Sequence, residues 1–260
     1  MFDAPFDIKR ARILLSNDDG IHAPGLRMLE RAVRRLAKDV WVVAPETEQS
    51  GASHSLTLHR PLRVRKLSPR RFAVDGTPTD SVLLAINHLM VNRKPDLVLS
   101  GFNRGGNLGE DISYSGTVAA AMEATILGVP AIALSQIAED EESAKWKTAT
   151  AHFPRIIRGL ASVGWPANVF INVNFPDVPA ARVAGIRVTR QGRRKLGDEL
   201  VERKDPRGRS YFWIGVMRME DGGRRGTDLA AVNAGAISVT PVYLSLTPGP
   251  TLHRLKKAFP

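Results

Sequence analysis

Two adjacent carboxylates follow the first apolar run of the chain. After Ile13-Leu14-Leu15, the sequence turns through Ser16-Asn17-Asp18-Asp19-Gly20. Two Asp residues in a turn are, taken alone, more often solvated than functional. Here they end a predicted strand, and an α/β sheet binds its ligands outside the carboxyl ends of its strands. Neighbouring carboxylates repel each other unless a cation or a proton lies between them. Asp18 and Asp19 therefore predict a site for Mg²⁺ or Mn²⁺, which prefer hard oxygen ligands.

Three later polar segments are expected at the same edge of the sheet. Ser50 follows the second predicted strand and could offer a hydroxyl to a metal. A Gly-rich loop containing Asn103 and Asn107 follows the third strand, and Asn oxygens can coordinate a cation. Ser115-Gly116-Thr117 opens a predicted helix, whose unsatisfied amides and positive dipole end favour an anion. The four segments together predict a divalent cation beside a phosphate group.

Several other chemistries are excluded by the motifs that the sequence lacks. It contains no Gly-x-Ser-x-Gly elbow and no Walker-type Gly-Lys-Ser/Thr, which argues against a serine hydrolase and a P-loop kinase. The glycines between Gly101 and Gly109 do not have the spacing of a dinucleotide fingerprint. None of the six histidines pair at the spacing that is typical of zinc sites on helices.

His22 and His54 lie near the expected site. A structural role and a role in proton transfer both remain open for each of them.

Apolar runs alternate with helical patterns from residue 12 to 174, which predicts an α/β fold with a mostly parallel sheet. Alternating segments between residues 56 and 74 predict an inserted hairpin, and the rhythm is lost after residue 175. We expect one domain over residues 1–260, with an α/β core at 12–175 and a C-terminal extension at 176–260. The pattern of this extension fits an oligomerisation arm that covers a neighbouring subunit, and it fits a subdomain of the same chain equally well. The predicted strands are 12–16, 40–44, 97–100, 131–135, 169–173, 186–189, 211–214 and 237–240, and the predicted helices begin near residues 24, 78, 118 and 252.

Composition limits the location and the partners of the protein. Its 260 residues are 43% hydrophobic and include no cysteine, which excludes disulfides, thiolate metal sites and a Cys nucleophile. The acidic segment 1–7 does not have the pattern of a signal peptide, and no stretch is apolar enough to cross a bilayer. A cytoplasmic protein without membrane contact is therefore expected. The net charge of +11 favours anionic partners without specifying which.

The ordered motifs of the chain resemble those of the SurE (survival protein E) family. The resemblance covers nearly the whole length. It is carried by the segments 16–25 (SNDDGIHAPG), 50–53 (SGAS), 76–80 (GTPTD), 100–109 (SGFNRGGNLG), 114–121 (YSGTVAAA), 188–190 (VTR), 205–208 (DPRG) and 226–228 (GTD).

This resemblance implies a metal-dependent phosphatase that acts on nucleoside 5′- and 3′-monophosphates, and in some members on short polyphosphate. It also implies a Rossmann-like core with helices on both faces, and a C-terminal arm exchanged within a homodimer or homotetramer. One divalent cation per subunit would be held by Asp18, Asp19, Ser50 and Asn103. The phosphate-binding stretch would comprise Asn107, Ser115, Gly116 and Thr117. Phe102 and Arg104 depart from the family pattern, and Arg104 could alter substrate preference.

Two mechanisms and two other functions remain as alternatives at this point. Asp18 would accept the proton of an attacking water, or would itself attack phosphorus and form a phospho-enzyme. A basic RNA-binding protein would explain the charge, although the sparse aromatic residues form no stacking motif. A nucleotide-binding regulator on the same core would bind its ligand without turnover.

Overall fold

A mostly parallel β-sheet forms the centre of the fold. The computed structural model describes residues 7–138, 144–196, 200–214, 218–220 and 224–259. The strands within these residues are β1 (Arg12–Ser16), β2 (Asp39–Pro45), β3 (Val64–Ser68), β4 (Arg71–Val74), β5 (Leu97–Arg104), β6 (Ala131–Gln136), β7 (Val169–Phe175), β8 (Ile186–Val188), β9 (Arg194–Leu196), β10 (Leu200–Lys204), β11 (Ser210–Ile214), β12 (Arg218–Glu220) and β13 (Ile237–Tyr243).

The order of the strands places a ligand crevice at the end of β1. Nine strands share the central sheet in the order β3-β4-β2-β1-β5-β6-β7-β13-β8. The consecutive strands β4, β2, β1, β5, β6 and β7 of this order run parallel to one another. Strand β3 is antiparallel to β4, and β13 is antiparallel to β7. Because the chain moves from β1 to β2 and later returns to β5 on the other side of β1, the winding reverses between β1 and β5. Such a switch point opens a crevice at the carboxyl ends of the two strands.

Helices cover both faces of this sheet, as expected. The helices are α1 (Pro24–Arg34), α2 (Pro78–Leu84), α3 (Gly116–Ile126), α4 (Trp146–Val163), α5 (Asp228–Asn233) and α6 (Gly249–Ala258). Side chains alternate along β1, so that Ile13 and Leu15 pack in one apolar cluster with α1 and α4. Leu14 points the other way and packs in a second cluster with α2 and α3. These clusters fix the sheet edge at which β1 and β5 end.

Local sequence signals account for several of these elements. The five strands predicted in the core and the basic helix α6 are confirmed, with boundaries that differ by at most four residues. The hairpin β3-β4 is confirmed within the predicted span of residues 56–74, although its first strand begins only at Val64. Helix α2 begins as predicted at Pro78, directly after its N-cap Thr77, whose side chain accepts a hydrogen bond from the backbone N–H of Asp80 in a capping box. Ser115 caps α3 in the same way through the backbone N–H of Val118. The long helix α4 was not predicted.

The C-terminal segment is divided between the central sheet and two small ribbons. Strands β8 and β13 belong to the central sheet, whereas β10 pairs with β11, and β9 pairs with β12. Residues 1–6 of the N-terminal segment that was used above to argue against a signal peptide lie outside the described residues. Among the described residues, no helix combines the length and apolar character needed to cross a membrane.

Candidate metal and phosphate site

The turn after β1 holds the acidic pair in a fixed conformation. Asn17 donates from its side chain to the Gly20 carbonyl at 3.0 Å, and the Asp18 carbonyl accepts from the Gln49 backbone N–H at 2.8 Å. Gly20 has a φ of +97°, and a Cβ there would lie 3.2 Å from the Thr47 carbonyl carbon. Glycine is therefore required where this turn passes the loop after β2.

Asp18 faces the N-terminus of α3. Its Oδ1 accepts a short hydrogen bond from the Thr117 hydroxyl. A Cβ at position 116 would lie 2.7 Å from Asp18 Cβ and 3.1 Å from Asp18 Oδ2, so only glycine allows this approach. The predicted metal ligand Asp18 and the predicted phosphate residues Gly116 and Thr117 are thus in direct contact. Ser115 adjoins them as the N-cap of the helix.

Asp19 faces the end of β5. Its Oδ2 lies 3.4 Å from the backbone nitrogen of Arg104, which donates to it. The neighbouring Asn103 donates from Nδ2 to the Gly105 carbonyl at 2.9 Å, while no described residue donates to its amide oxygen. This orientation leaves the oxygen of Asn103 as the atom able to coordinate a cation.

The loop after β2 adds a third carboxylate that the sequence did not indicate. The exposed Ser50 hydroxyl donates to Glu48 Oε1 at 2.7 Å, and Gln49 between them binds the Asp18 carbonyl. The charge of Glu48 also raises the pKa of both Asp18 and Asp19. The sequence analysis did not include Glu48, because the sequence around an acidic residue in a polar loop does not indicate which residues lie near it in the fold.

The two aspartates are in an unfavourable electrostatic environment. Burial raises the pKa of Asp18 above its usual range, although the Thr117 hydroxyl acts in the opposite direction. Burial, followed by the charge of Asp18, raises the pKa of Asp19 to about 7. The backbone N–H and the charge of Arg104 only partly offset this effect. A nearby cation would stabilise both ionised carboxylates.

The available donor atoms fit a hard divalent cation. Among the described residues, no group of three or more His, Asp or Glu side chains is arranged to hold a metal. The predicted ligand set has a different composition, because it combines two carboxylates with an amide and a hydroxyl. All four groups offer oxygen, which suits Mg²⁺ and Mn²⁺ better than zinc or copper. The buried carboxylate of Asp18 and the half-buried carboxylate of Asp19 repel each other, and together they give the site the negative charge that such a cation needs.

Asn107 belongs to a buried polar network on the other side of β5. Its side chain donates to Ser135 Oγ at 2.8 Å, and its backbone N–H donates to Asn174 Oδ1 at 2.8 Å. Its carbonyl accepts from the side chains of Asn172 and Asn174 at 2.8 and 3.0 Å. These contacts hold the Gly-rich loop in place, and no described contact joins Asn107 to the acidic pair. The sequence analysis did not include Asn172 and Asn174. They could have been recognised because they are polar residues at alternate positions of a buried strand.

The C-terminal segment also positions the Gly-rich loop. Asp228 is buried at the start of α5, and its carboxylate accepts from the backbone N–H of Gly109 at 3.0 Å and of Gly192 at 2.8 Å. Asn103, expected in this loop, lies instead within β5, which extends to Arg104, so the loop itself carries only Asn107 of the two. The loop is anchored at its far end, Gly109, by a residue 119 positions away in sequence. Residues after 176 thus help to shape the site.

The two histidines near the site have different surroundings. His22 is exposed after the acidic turn. The ring of His54 is part-buried, and its Nε2 lies 2.9 Å from Oε2 of the buried Glu123 on α3. Within the described residues, the structure thus gives a hydrogen-bond partner to the ring of His54, whereas His22 is bonded through its backbone carbonyl, which accepts from the Arg27 guanidinium.

The fold and the site together define a class of protein: a doubly wound α/β protein with an acidic, oxygen-rich site at its topological switch point, facing a helix N-terminus. Comparison with known proteins is more specific. Residues 13–198 match the family model described as survival protein SurE. The chain belongs to the SurE family.

Individual relatives extend this similarity over the whole chain. A protein of Paramagnetospirillum magneticum named 5′-nucleotidase SurE is 64% identical over 253 residues, which cover 97% of each chain. A protein of Rhodospirillum rubrum with the same name is 56% identical over 262 residues and 100% of each chain. The crystal structure of the SurE protein from Aquifex aeolicus is 40% identical and superposes with a TM-score of 0.83, covering 95% of this chain and 99% of that one. The resemblance and the fold class expected from the sequence are confirmed.

Proposed function

We propose that this protein is a nucleotidase that hydrolyses nucleoside 5′- and 3′-monophosphates to a nucleoside and phosphate. The observation that carries the proposal is the direct contact between Asp18 and the N-terminus of α3, because it joins an acidic metal site to an anion site. The relatives named 5′-nucleotidase SurE support the action on 5′-monophosphates. Short polyphosphate is a second proposed substrate.

The proposed cofactor is one Mg²⁺ or Mn²⁺ per chain, held by Asp18, Asp19, Ser50 and Asn103. When bound, such a cation neutralises phosphate oxygens and lowers the pKa of water. The amides at the start of α3, with Ser115 and Thr117, would hold the phosphoryl group for in-line attack. Asn107 would contribute by keeping the Gly-rich loop in its conformation.

Asp18 is proposed to accept the proton of the attacking water. Its Oδ1 already accepts from Thr117, which orients the carboxylate toward the helix N-terminus. The alternative, attack by Asp18 on phosphorus, would leave a phosphorylated Asp18. Rapid quenching with AMP that is labelled in its phosphate group distinguishes the two mechanisms, because only attack by Asp18 transfers the labelled phosphoryl group to the protein.

The activity is tested by phosphate release from a panel of nucleoside 5′- and 3′-monophosphates and polyphosphate, with Mg²⁺, Mn²⁺ or a chelator. Asp19→Asn should abolish the metal-dependent hydrolysis, because it removes one charge from the cation site. Asp75→Asn is the matched control, since Asp75 is part-exposed and pairs with Arg60. Turnover like that of the wild type in Asp19→Asn, or activity that does not depend on metal, would contradict the proposal.

A homodimer or homotetramer is proposed because the hairpin β10-β11 exposes an apolar surface. Tyr211, Phe212, Trp213 and Ile214 are 43%, 63%, 64% and 75% exposed. Contiguous exposed aromatic residues of this kind mark interaction surfaces. Light scattering should show an oligomer that dissociates when Phe212 and Trp213 are both changed to Glu. The control is Val163→Glu, on an exposed residue of α4.

The cytoplasmic location expected from composition stays a prediction.

A further inference from the structure

A cavity of about 270 Å³ lies beside the edge strand β8, in the C-terminal segment. Residues 187–189 form one wall and residues 225–227 another, and Ala230 of α5 also lines it. Two of the motifs found in the sequence, 188–190 and 226–228, thus meet at this cavity. None of the proposed ligands of the cation or of the substrate phosphate lines it, so it is separate from the candidate metal and phosphate site.

The wall of the cavity carries two positive charges. Arg187 and Arg225 both line it, and both residues are exposed. Within the described part of the chain, no carboxylate lines the cavity or forms an ion pair with either guanidinium. Arg12 and Arg71, by contrast, each pair with a carboxylate. Two guanidinium groups on one small cavity repel each other unless an anion lies between them.

The cavity lies where the edge of the sheet is left unpaired. Strand β8 is the last strand of the central sheet in the described part of the chain. The Gly185 carbonyl accepts from the Ile237 N–H at 2.9 Å. The Thr189 N–H donates to the Val239 carbonyl at 3.0 Å. Since alternate residues of a parallel strand bond to the same neighbour, the backbone N–H of Val188 points away from β13. This N–H is a further hydrogen-bond donor on the cavity wall.

The wall that carries Arg225 is held in place by Arg190. The backbone N–H of Arg190 donates to the Gly226 carbonyl at 3.0 Å, and its guanidinium donates to the Arg225 carbonyl at 3.1 Å. The Arg190 carbonyl in turn accepts from the Asp228 N–H at 3.0 Å. Gly226 has a φ of +84°, a conformation that favours glycine where the chain turns. The backbone around Arg225 is therefore fixed by the protein itself.

We infer that this cavity is a second anion site, which binds the phosphoryl oxygens of inorganic phosphate or of short polyphosphate. Each guanidinium can bind phosphate oxygens in a bidentate manner, and the Val188 N–H adds a donor. The volume lies just below the range of about 300–1,000 Å³ that is usual for drug-sized ligands, which suits a small anion. The inference adds a site to the proposed function and does not depend on it.

Binding of the anion is measured by calorimetry on the full-length protein. Inorganic phosphate and tripolyphosphate are titrated separately, with a chelator that removes divalent cations and with about 0.15 M NaCl to screen long-range attraction. We expect saturable binding of at least one of these probes, with a Kd below about 1 mM. The probe that binds more tightly identifies the source of the phosphoryl group.

The first pair of variants removes charge. Arg187→Gln combined with Arg225→Gln removes both charges from the cavity and should weaken this binding by roughly tenfold or more. Arg155→Gln combined with Arg158→Gln is the matched control, because it removes the same charge from exposed positions of α4. The control should bind each probe within about twofold of the wild type. The comparison separates a localised site from the general attraction exerted by a net charge of +11.

The second pair of variants changes the cavity without changing the charge. Ala230→Leu places a larger side chain in the cavity and should also weaken the binding by roughly tenfold. Ala151→Leu is the control, because Ala151 is exposed on α4 and does not line the cavity. It should bind as the wild type does. Circular dichroism and thermal unfolding check that all variants are folded.

Chemical modification shows where the anion binds. Phenylglyoxal reacts with accessible arginines, and mass spectrometry of peptides gives the rate at each residue. A probe present at about ten times its Kd should slow the modification of Arg187 and Arg225 by roughly tenfold, because only the free site reacts. The rate at Arg158 should not change.

The inference is overturned if neither probe binds saturably, or if the variant that lacks Arg187 and Arg225 binds unchanged. It is also overturned if the two arginine double variants lose binding equally, or if Ala230→Leu has no effect on binding. Resistance of Arg187 and Arg225 to phenylglyoxal without any probe would overturn it as well, because a second copy of the chain would then cover the cavity. Failure of the wild type to release phosphate from AMP would instead contradict the proposed function and would leave these binding measurements unaffected.

Discussion

Replacement of Asp19 by Asn should stabilise the metal-free protein. Burial and the neighbouring Asp18 raise the pKa of Asp19 to about 7, compared with 3.8 for an ordinary Asp. The folded protein therefore holds the Asp19 proton more tightly than the unfolded chain. Its stability decreases as the pH rises from about 4 to about 7, and it then levels off. Since one pKa unit corresponds to about 1.4 kcal/mol, the ionised Asp19 costs at most about 4 kcal/mol above pH 7.

Asn has nearly the same shape as Asp but carries no charge in either state. At pH 8, with a chelator present, we expect Asp19→Asn to raise the free energy of unfolding by about 1–3 kcal/mol, because relaxation of the site reduces the upper limit. At pH 5 the wild-type carboxyl is largely protonated in the folded state, so the difference should be less than half as large.

Urea unfolding at both pH values, with chelator and with Mn²⁺, measures these quantities. Mn²⁺ should stabilise the wild type and have a smaller effect on Asp19→Asn, because the variant has lost a charged ligand. Asp75→Asn should differ from the wild type by less than about 1 kcal/mol under all conditions, since its exposed ion pair is weak. A metal-free Asp19→Asn protein that is less stable than the wild type at pH 8, or a gain that does not depend on pH, would refute the electrostatic reasoning.

Three further predictions concern glycines and an ion pair. Gly116→Ala places a Cβ 2.7 Å from Asp18 Cβ, so we expect roughly tenfold or greater loss of kcat with unchanged circular dichroism. Gly25→Ala places a Cβ 1.9 Å from the Phe102 carbonyl oxygen and should lower the free energy of unfolding by about 2 kcal/mol or more, measured in urea. Burial raises the pKa of Asp39, but the guanidinium groups of Arg12 and Arg70 lower it by a larger amount. The pKa of Asp39 therefore lies below its usual range. Asp39→Asn should therefore destabilise the protein by about 1 kcal/mol at pH 7, and this loss should disappear as the pH falls below about 4.

Much of the fold was predictable because burial on both faces of a parallel sheet leaves continuous apolar runs. The strands β1, β2 and β5 to β7 are such runs, and their order along the chain indicated the edge at which the loops meet. Helix α4 was not predicted, and it contains Pro154 in its interior. Proline usually ends a helix, so it interrupts the pattern by which a helix is recognised. Packing of Phe153 and Ile157 in the core is what supports the helix across that residue.

The candidate site was predictable only in part, for a related reason. Asp18 follows a strand, Asn103 lies at the end of one, and Gly116 opens a helix, and strand order places such positions together. Glu48 and the pair formed by His54 and Glu123 depend on loop conformation and on contacts across 69 residues of sequence. No local pattern encodes such contacts.

The position of Asp228 shows that the proposed boundary at residue 176 does not separate the residues that shape the candidate site from the C-terminal segment. Gly109 has a φ of +54°, and its backbone N–H donates to Asp228, which begins a helix of the C-terminal segment. Loss of that acceptor would leave a buried amide without a partner and would release one end of the Gly-rich loop. The loop includes Asn107 and begins directly after β5, which carries Asn103 near its end, so a change in the C-terminal segment reaches the proposed cation ligand through the backbone alone. An arm that assembles the oligomer would therefore also adjust the geometry in which the phosphate is held.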